Sequence, residues 1–238
     1  MNYIELSNEF DILSNKFSLE NSIPLQMFDE YEKSVFVTMA AEQIVNSILP
    51  FYDKNEFVRK ALDDLTVNTV MSPESINSGI EGNSIIFLKP SDLLVVVYSK
   101  LYSGSKGIMV IPIMDDSRDF NINNPFRMPN ADYALRVDNH SGPSIELIVN
   151  QSYNSFSVSY KVKYIKKVPA FILAETTFPA TLGGASTNPY ASSPAPLELL
   201  HNVILSKAVL LAQASRGADV NTKKFIEDLN LGDIKINL

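Results

Sequence analysis

The sequence predicts an α+β fold: a helical bundle drawn from the N- and C-terminal helices, with a β-rich, antiparallel or sandwich-like insertion between them. Three observations predict it. Apolar residues recur at helical spacing through Phe28–Pro50. From Ser84 the period shortens to two, and β-branched and aromatic residues dominate as far as Lys167. Helical spacing returns from about Pro196 to Ser215. Helices, then strands, then a helix is an α+β order. On this reading residues 1–70 and 195–238 form the bundle, 84–175 the β-rich domain, and 176–194 a flexible Gly/Ser/Pro loop or arm.

In chain order, "YIELSNEFDILSNKF" sets Leu6, Phe10 and Leu13 on one side of a short helix. Asp29 then caps the next helix, with Glu32 three residues on as its reciprocal partner. Phe36, Val37, Ala40, Ala41, Ile44, Val45, Ile48 and Leu49 make its apolar stripe, and Pro50 stops its simple continuation. Val35 and Met39 sit off that stripe. They either flank the same core or form a second face against a neighbouring subunit. A further helix is expected at Asn55–Leu65 with Phe57, Val58, Ala61, Leu62 and Leu65 inward.

Strands are expected in "SIIFLK", "LLVVVYSKLY", "GIMVIPIM", "YALRVD", "SIELIVN" and "SFSVSYKVKYIKK". In the last, Phe156, Val158, Tyr160, Val162 and Tyr164 alternate with serine and lysine, so one face is buried and one wet. The stretch "LGGASTNPYASSPAP" at 182–196 is composed of turn formers and reads as a long loop. In the last strong helix Leu199, Leu200, Val203, Ile204, Ala208, Leu211 and Ala212 point inward, and Gly217 is its stop. One more short helix is expected at Thr222–Leu229.

Composition narrows the function. Among 238 residues, 45% are hydrophobic and 20% charged, enough for a real core. The sequence holds no run of about 18 apolar residues, so no membrane partner is expected. Met1–Asp11 lacks a basic residue and an apolar segment, so no secretory signal is expected. Cysteine is absent, which excludes disulfides, thiolate metal sites and thiol nucleophiles. The net charge of −7 argues against a protein that coats nucleic acid. It remains compatible with a surface past which DNA slides.

Catalytic patterns are missing. His140 falls in a turn and His201 opens a helix, without metal-ligand spacing around either. "YSGSKG" lacks the phosphate-loop spacing and reads as a hairpin turn. No Gly-x-Ser-x-Gly elbow occurs. "MDDSRD" reads as an exposed acidic loop, and Lys161, Lys163, Lys166 and Lys167 as a solvated strand face. No enzyme, cofactor or metal is predicted.

Three separated stretches carry a resemblance. They are "SNEFDILSNKF" with "FDEYEKSVFVTMAAEQIV", then "NPFRMPNADYALRV", then "YKVKYIKKVPAFIL" followed by a loop and "PLELLHNVILSKAVLLAQAS". In this order, over residues 5–215, the chain resembles the virion neck proteins of crAss-like bacteriophages and related podoviruses. The resemblance implies a structural role in the head-to-tail connector of the virion, made in the host cytoplasm. It implies a closed ring of commonly about twelve copies, seated between portal and tail. Implied partners are other copies of the chain, the portal protein, adjacent neck and tail proteins, and genomic DNA passing without sequence-specific binding. The loop at 182–196 departs from the family pattern.

Interface candidates under that reading are Val35 and Met39, Tyr190 in the loop, and Phe126 with Arg127, whose backbone Pro125 and Pro129 stiffen. A rigid aromatic beside an arginine suits an interface anchor; equally, Phe126 could plug its own core. Carboxylates lining a ring lumen would repel DNA and let it slide. The competing readings are another virion component, such as a tail-tube or head-decorating protein, and a soluble enzyme or host-directed binding protein.

Overall fold

The structure is a computed structural model that describes residues 1–20, 27–79, 82–138, 142–150, 158–173 and 194–216. His140, Phe156, Tyr190, most of the 182–196 loop, Gly217 and the helix expected at Thr222–Leu229 lie outside the described residues. In chain order these residues form α1 (Tyr3–Glu20), α2 (Glu30–Ile48), α3 (Glu56–Ala61), β1 (Thr66–Met71), β2 (Ser75–Gly79), β3 (Gly82–Leu88), β4 (Leu93–Ser103), β5 (Lys106–Ile113), α4 (Arg118–Ile122), β6 (Tyr133–Asp138), β7 (Ser144–Val149), β8 (Val158–Lys166) and α5 (His201–Ser215). The fold is α+β. It divides into a helical unit, Met1–Leu65 with Val168–Leu238, and a β unit, Thr66–Lys167.

In the helical unit α2 starts at a capping box. The Asp29 carboxylate accepts from the Glu32 amide at 2.7 Å, and the Glu32 carboxylate accepts from the Asp29 amide at 3.1 Å. Pro50 sits in a 3₁₀ turn, Leu49–Phe51, that ends the helix. Its buried Val37, Ala40, Ala41, Ile44, Val45 and Ile48 pack on α5, which also meets α1. Small residues at Ala40, Ala41, Ala208 and Ala212 suit close approach of the helix axes. α5 is apolar on nearly all sides, which makes it the central helix. The α2 segment Glu30–Phe51 is long and apolar enough for a membrane span by composition, yet its apolar stripe is taken up by α5. Two hydroxyls on α2 fasten an extended segment: Thr38 Oγ1 accepts from the Phe171 amide (2.9 Å) and Ser34 Oγ from the Leu173 amide (3.1 Å). Both side chains also satisfy backbone carbonyls one turn back, so no buried donor is orphaned there.

The β unit is one mixed sheet ordered β1-β8-β4-β5-β6-β7-β3-β2. All its pairings are antiparallel except β5–β6. Followed across the sheet, β1 and β2 therefore run in the same direction, and only Ser72–Glu74 separates them. They are two parts of one bent strand that pairs with β8 in its first half and β3 in its second. This curls the sheet around a single core, in which Phe87 of β3 meets Tyr160 of β8 at 5.1 Å between ring centres. Ile85, Leu101, Ile108, Leu147 and Val162 fill that interior. On the outer side, Ile122 of α4 covers Leu135, Val137 and Ile148.

Several elements differ from the sequence expectation. The sheet begins at Thr66 rather than Ser84, because β1 and β2 were not anticipated. The first helix is long, 18 residues, since its inner face is closed by α5 and α2. Phe57 and Leu199, both expected inward, are exposed. Their neighbours Val58 and Leu200, also expected inward, do take the core positions in these short helical turns. Parallel pairing of β5 with β6 requires a crossover, and the segment Met114–Asp132 supplies it.

Candidate assembly surfaces

The crossover from β5 to β6 holds the two candidate residues between the prolines. Asn124 organises the turn: its side-chain oxygen accepts from the Phe126 amide (2.9 Å), and its carbonyl accepts from the amides of Arg127 (2.9 Å) and Met128 (2.8 Å). The exit is fixed by Asn130, whose side-chain oxygen accepts from the amides of Asp132 and Tyr133, and by the Tyr133 hydroxyl donating to the Met128 carbonyl (2.8 Å). Pro129 is buried. The backbone around Phe126 is thus held at both ends.

Phe126 does not plug a core: it is 90% exposed. Phe120, from α4, is 60% exposed, and the Arg127 guanidinium lies 5.2 Å over its ring. An arginine stacked on an aromatic face keeps its planar fork free for a carboxylate while its position is set. Phe120 and Phe126 line an open depression of about 630 Å³ together with Asp119, Asn123, Asn124 and Pro125. The crossover is tied to the sheet by Arg118, which pairs with Glu146 on β7 at 2.8 Å, and the Ser84 hydroxyl donates to the same carboxylate. Asp115, Asp116 and Asp119 are exposed on it.

The second pair of candidates lies on α2. Val35 is half-buried and Met39 is 43% exposed, both off the stripe that meets α5. Tyr190 lies outside the described residues. The sequence reading missed Phe120, Met109, Ile111 and Met114, all exposed near or within the crossover. The period-two pattern of β5 carried a signal for two of them: Ile108 and Val110 face the core, so Met109 and Ile111 face outward.

One ionic group stands out in the helical unit. Lys33 is buried, donating to Asp11 (2.6 Å), Glu30 (2.9 Å) and the Ser7 hydroxyl (3.3 Å), which links α1 to α2. Burial by itself lowers its pKa, but the hydrogen bonds and charges of Asp11 and Glu30 outweigh that and leave it raised. His201 is also buried; its Nε2 donates to the Pro196 carbonyl at 2.9 Å, and burial holds its pKa below the ordinary value. Among the described residues no cluster of His, Cys, Asp and Glu has the arrangement of a metal site. The crossover and the α2 face offer surface for recognition by shape and charge.

Comparison with known proteins agrees with that character. The profile of a family described as phage tail ring protein 3/4 matches residues 1–224. Ring protein 4/5 of Bacteroides phage crAss001 is 30% identical over 237 residues, covering 92% of this chain and 95% of that protein. Ring protein 3 of the same phage is 29% identical over 231 residues, covering 89% and 95%.

Proposed function

Because the chain belongs to the phage tail ring protein 3/4 family, and is therefore a structural component of the virion, we propose that it closes into a ring of identical copies in the phage neck, between portal and tail. In that position the ring forms part of the wall of the DNA conduit. The single observation that carries this reading is Phe126. A large aromatic ring, 90% exposed on a backbone held at both ends, contributes little to the stability of its own chain. Exposed anchors of this kind gain their free energy when a partner covers them.

A ring repeats one heterologous contact until it closes. Such a subunit needs apolar surface on more than one side. Each unit offers accessible apolar surface, the helical unit at Val35 and Met39 of α2 and the β unit at Phe120 and Phe126 beside Arg127. The portal and the adjoining neck or tail proteins are the partners above and below. The net charge of −7 suits a conduit past which DNA moves without being held. No catalytic step is part of this proposal.

The reading is tested by negative-stain imaging and sedimentation of the pure full chain, alone and with isolated portal. Rings, or saturable binding to the portal, are expected. A chain that stays monomeric in both conditions and is missing from the neck in images of virions would overturn it.

A further inference from the structure

The outer face of strands β8 and β4 sets two lysines, Lys161 and Lys100, directly opposite each other. The register sets Val70 opposite Lys161, Lys161 opposite Lys100, and Lys100 opposite Met109. These four residues form one row across four adjacent strands. Beside it, Lys163 stands opposite Tyr98 on β4 and Asn68 on β1. Val70, Tyr98, Met109 and Lys161 are exposed. Two lysines directly opposite on an antiparallel pair repel each other. Among the described residues no carboxylate pairs with Lys100 or Lys161. Lys100 instead lies across Gly107, where a Cβ would come within 2.4 Å of its Cε, and reaches the Tyr102 ring at 5.7 Å.

The same unit carries the complement. The crossover presents Asp115, Asp116 and Asp119, which among the described residues form no ion pair, beside exposed Phe120 and Phe126. It covers β6 and β7, whereas the lysine row is centred on β8 and β4. Met109, at the β5 end of the row, adjoins the chain's own crossover, its amide donating to the Asp132 carbonyl (3.1 Å), whereas Lys100 and Lys161 lie two and three strand positions from β6 in a sheet of eight. One unit can offer the first to one neighbour and the second to another, as a head-to-tail contact requires.

We propose that the row Val70–Lys161–Lys100–Met109 is the docking surface for the Met114–Asp132 crossover of a second copy of this chain. The partner's aspartates meet Lys161 and Lys100, and its exposed rings cover the apolar ends of the row. This rests on the ring-forming reading and specifies which surfaces make the ring contact. Both lie within the β unit, so the contact is defined without reference to the helical unit.

The chain has no cysteine, so introduced thiols report cleanly. The full chain carrying Lys161→Cys and Asp119→Cys, in rings of pure protein or in virions of a phage bearing the substitutions, is treated with a short bismaleimide. The expected result is a ladder of covalent oligomers with the double variant and none with either single variant. Self-crosslinking of a single variant would mean a two-fold contact and overturns the proposal. Lys100→Glu with Lys161→Glu is expected to weaken association about a hundredfold, since like charges are juxtaposed. Asp115→Lys with Asp116→Lys and Asp119→Lys should do the same. Mixing the two reversed chains should restore pairing between them. If the reversed lysine variant fails to show the thermal transition of the parent, Lys161→Ser replaces it. Undiminished rings with the lysines reversed would remove this contact and leave the ring reading standing. The same result with loss of salt-sensitive retention on double-stranded DNA would reassign the face to DNA. Absence of rings from wild-type virions would instead remove the ring reading itself.

Discussion

Phe126→Ala separates folding from assembly, and its size follows from exposure. A phenylalanine side chain offers ~200 Å². At 90% exposed, about a tenth of it is buried in the chain, so truncation removes ~20 Å² of contact and costs ~0.5 kcal/mol at ~25 cal/mol per Å². For a chain of this length that lowers Tm by no more than ~2 °C. If a neighbouring copy covers the ring, the remaining ~180 Å² becomes available, an upper bound of ~4.5 kcal/mol. Anchors of this type lose ~2 kcal/mol or more on truncation, which is roughly thirtyfold in each contact of a ring. Circular dichroism melting of the purified variant gives the first quantity, and sedimentation or incorporation into virions gives the second. A fall in Tm of more than ~8 °C would show that Phe126 supports its own fold. Assembly within about twofold of the parent would show that nothing covers it.

Three substitutions in the helical unit give further outcomes. Lys33→Met should lower stability by about 1–3 kcal/mol in urea melts, less than the ~3–5 kcal/mol of a fully buried pair, because Asp11 and Glu30 are partly exposed and regain water; an unchanged midpoint would deny the α1–α2 link. The raised pKa of Lys33 means that its contribution is fully present at neutral pH and fades only as pH rises through a folded value above the ordinary 10.5, so wild-type and Lys33→Met melts should converge there. His201 has the opposite sign: its folded pKa lies below 6.5, so its contribution is present above that pH and lost as pH falls through the folded value. His201→Gln should flatten the stability profile over that window, and an identical slope in the variant would contradict the assignment. Asp29→Ala removes the side-chain acceptor of the Glu32 amide, one of the two capping-box bonds, and leaves the backbone amide of residue 29 to donate to Glu32; it should cost about 1 kcal/mol in the same assay; a change below a few tenths would mean that packing alone fixes the start of α2.

The long elements were legible because each declares its period over many residues. Asp29, Glu32 and the stripe from Val37 to Ile48 define α2 almost to the residue. Val158, Tyr160, Val162 and Tyr164 do the same for the inner face of β8. The missed strands lack such a record. β2 reads "SINSG", with Ile76 as its one apolar residue, and owes its conformation to pairing with β3. β1 is followed by Pro73, which hides that it continues into β2 as one bent strand. The parallel partnership of β5 and β6 is a non-local fact that no local pattern records. For the surfaces, the prolines around Phe126 announced a rigid turn. Which way its ring points is set by the hydrogen bonds of Asn124, and an irregular segment has no period from which to read exposure. The lysines of β8 were visible as a wet face, but the opposition of Lys161 to Lys100 appears only once the register is known.

The central claim is that this chain acts by covering its exposed aromatic and charged surfaces with copies of itself and with adjoining virion parts. A density map of the assembled phage neck tests it most directly. The account predicts a closed ring of this chain around the DNA path, with Phe126 buried against another polypeptide. A map that places the chain in the virion as an isolated copy, with Phe126 still in solvent, would contradict it.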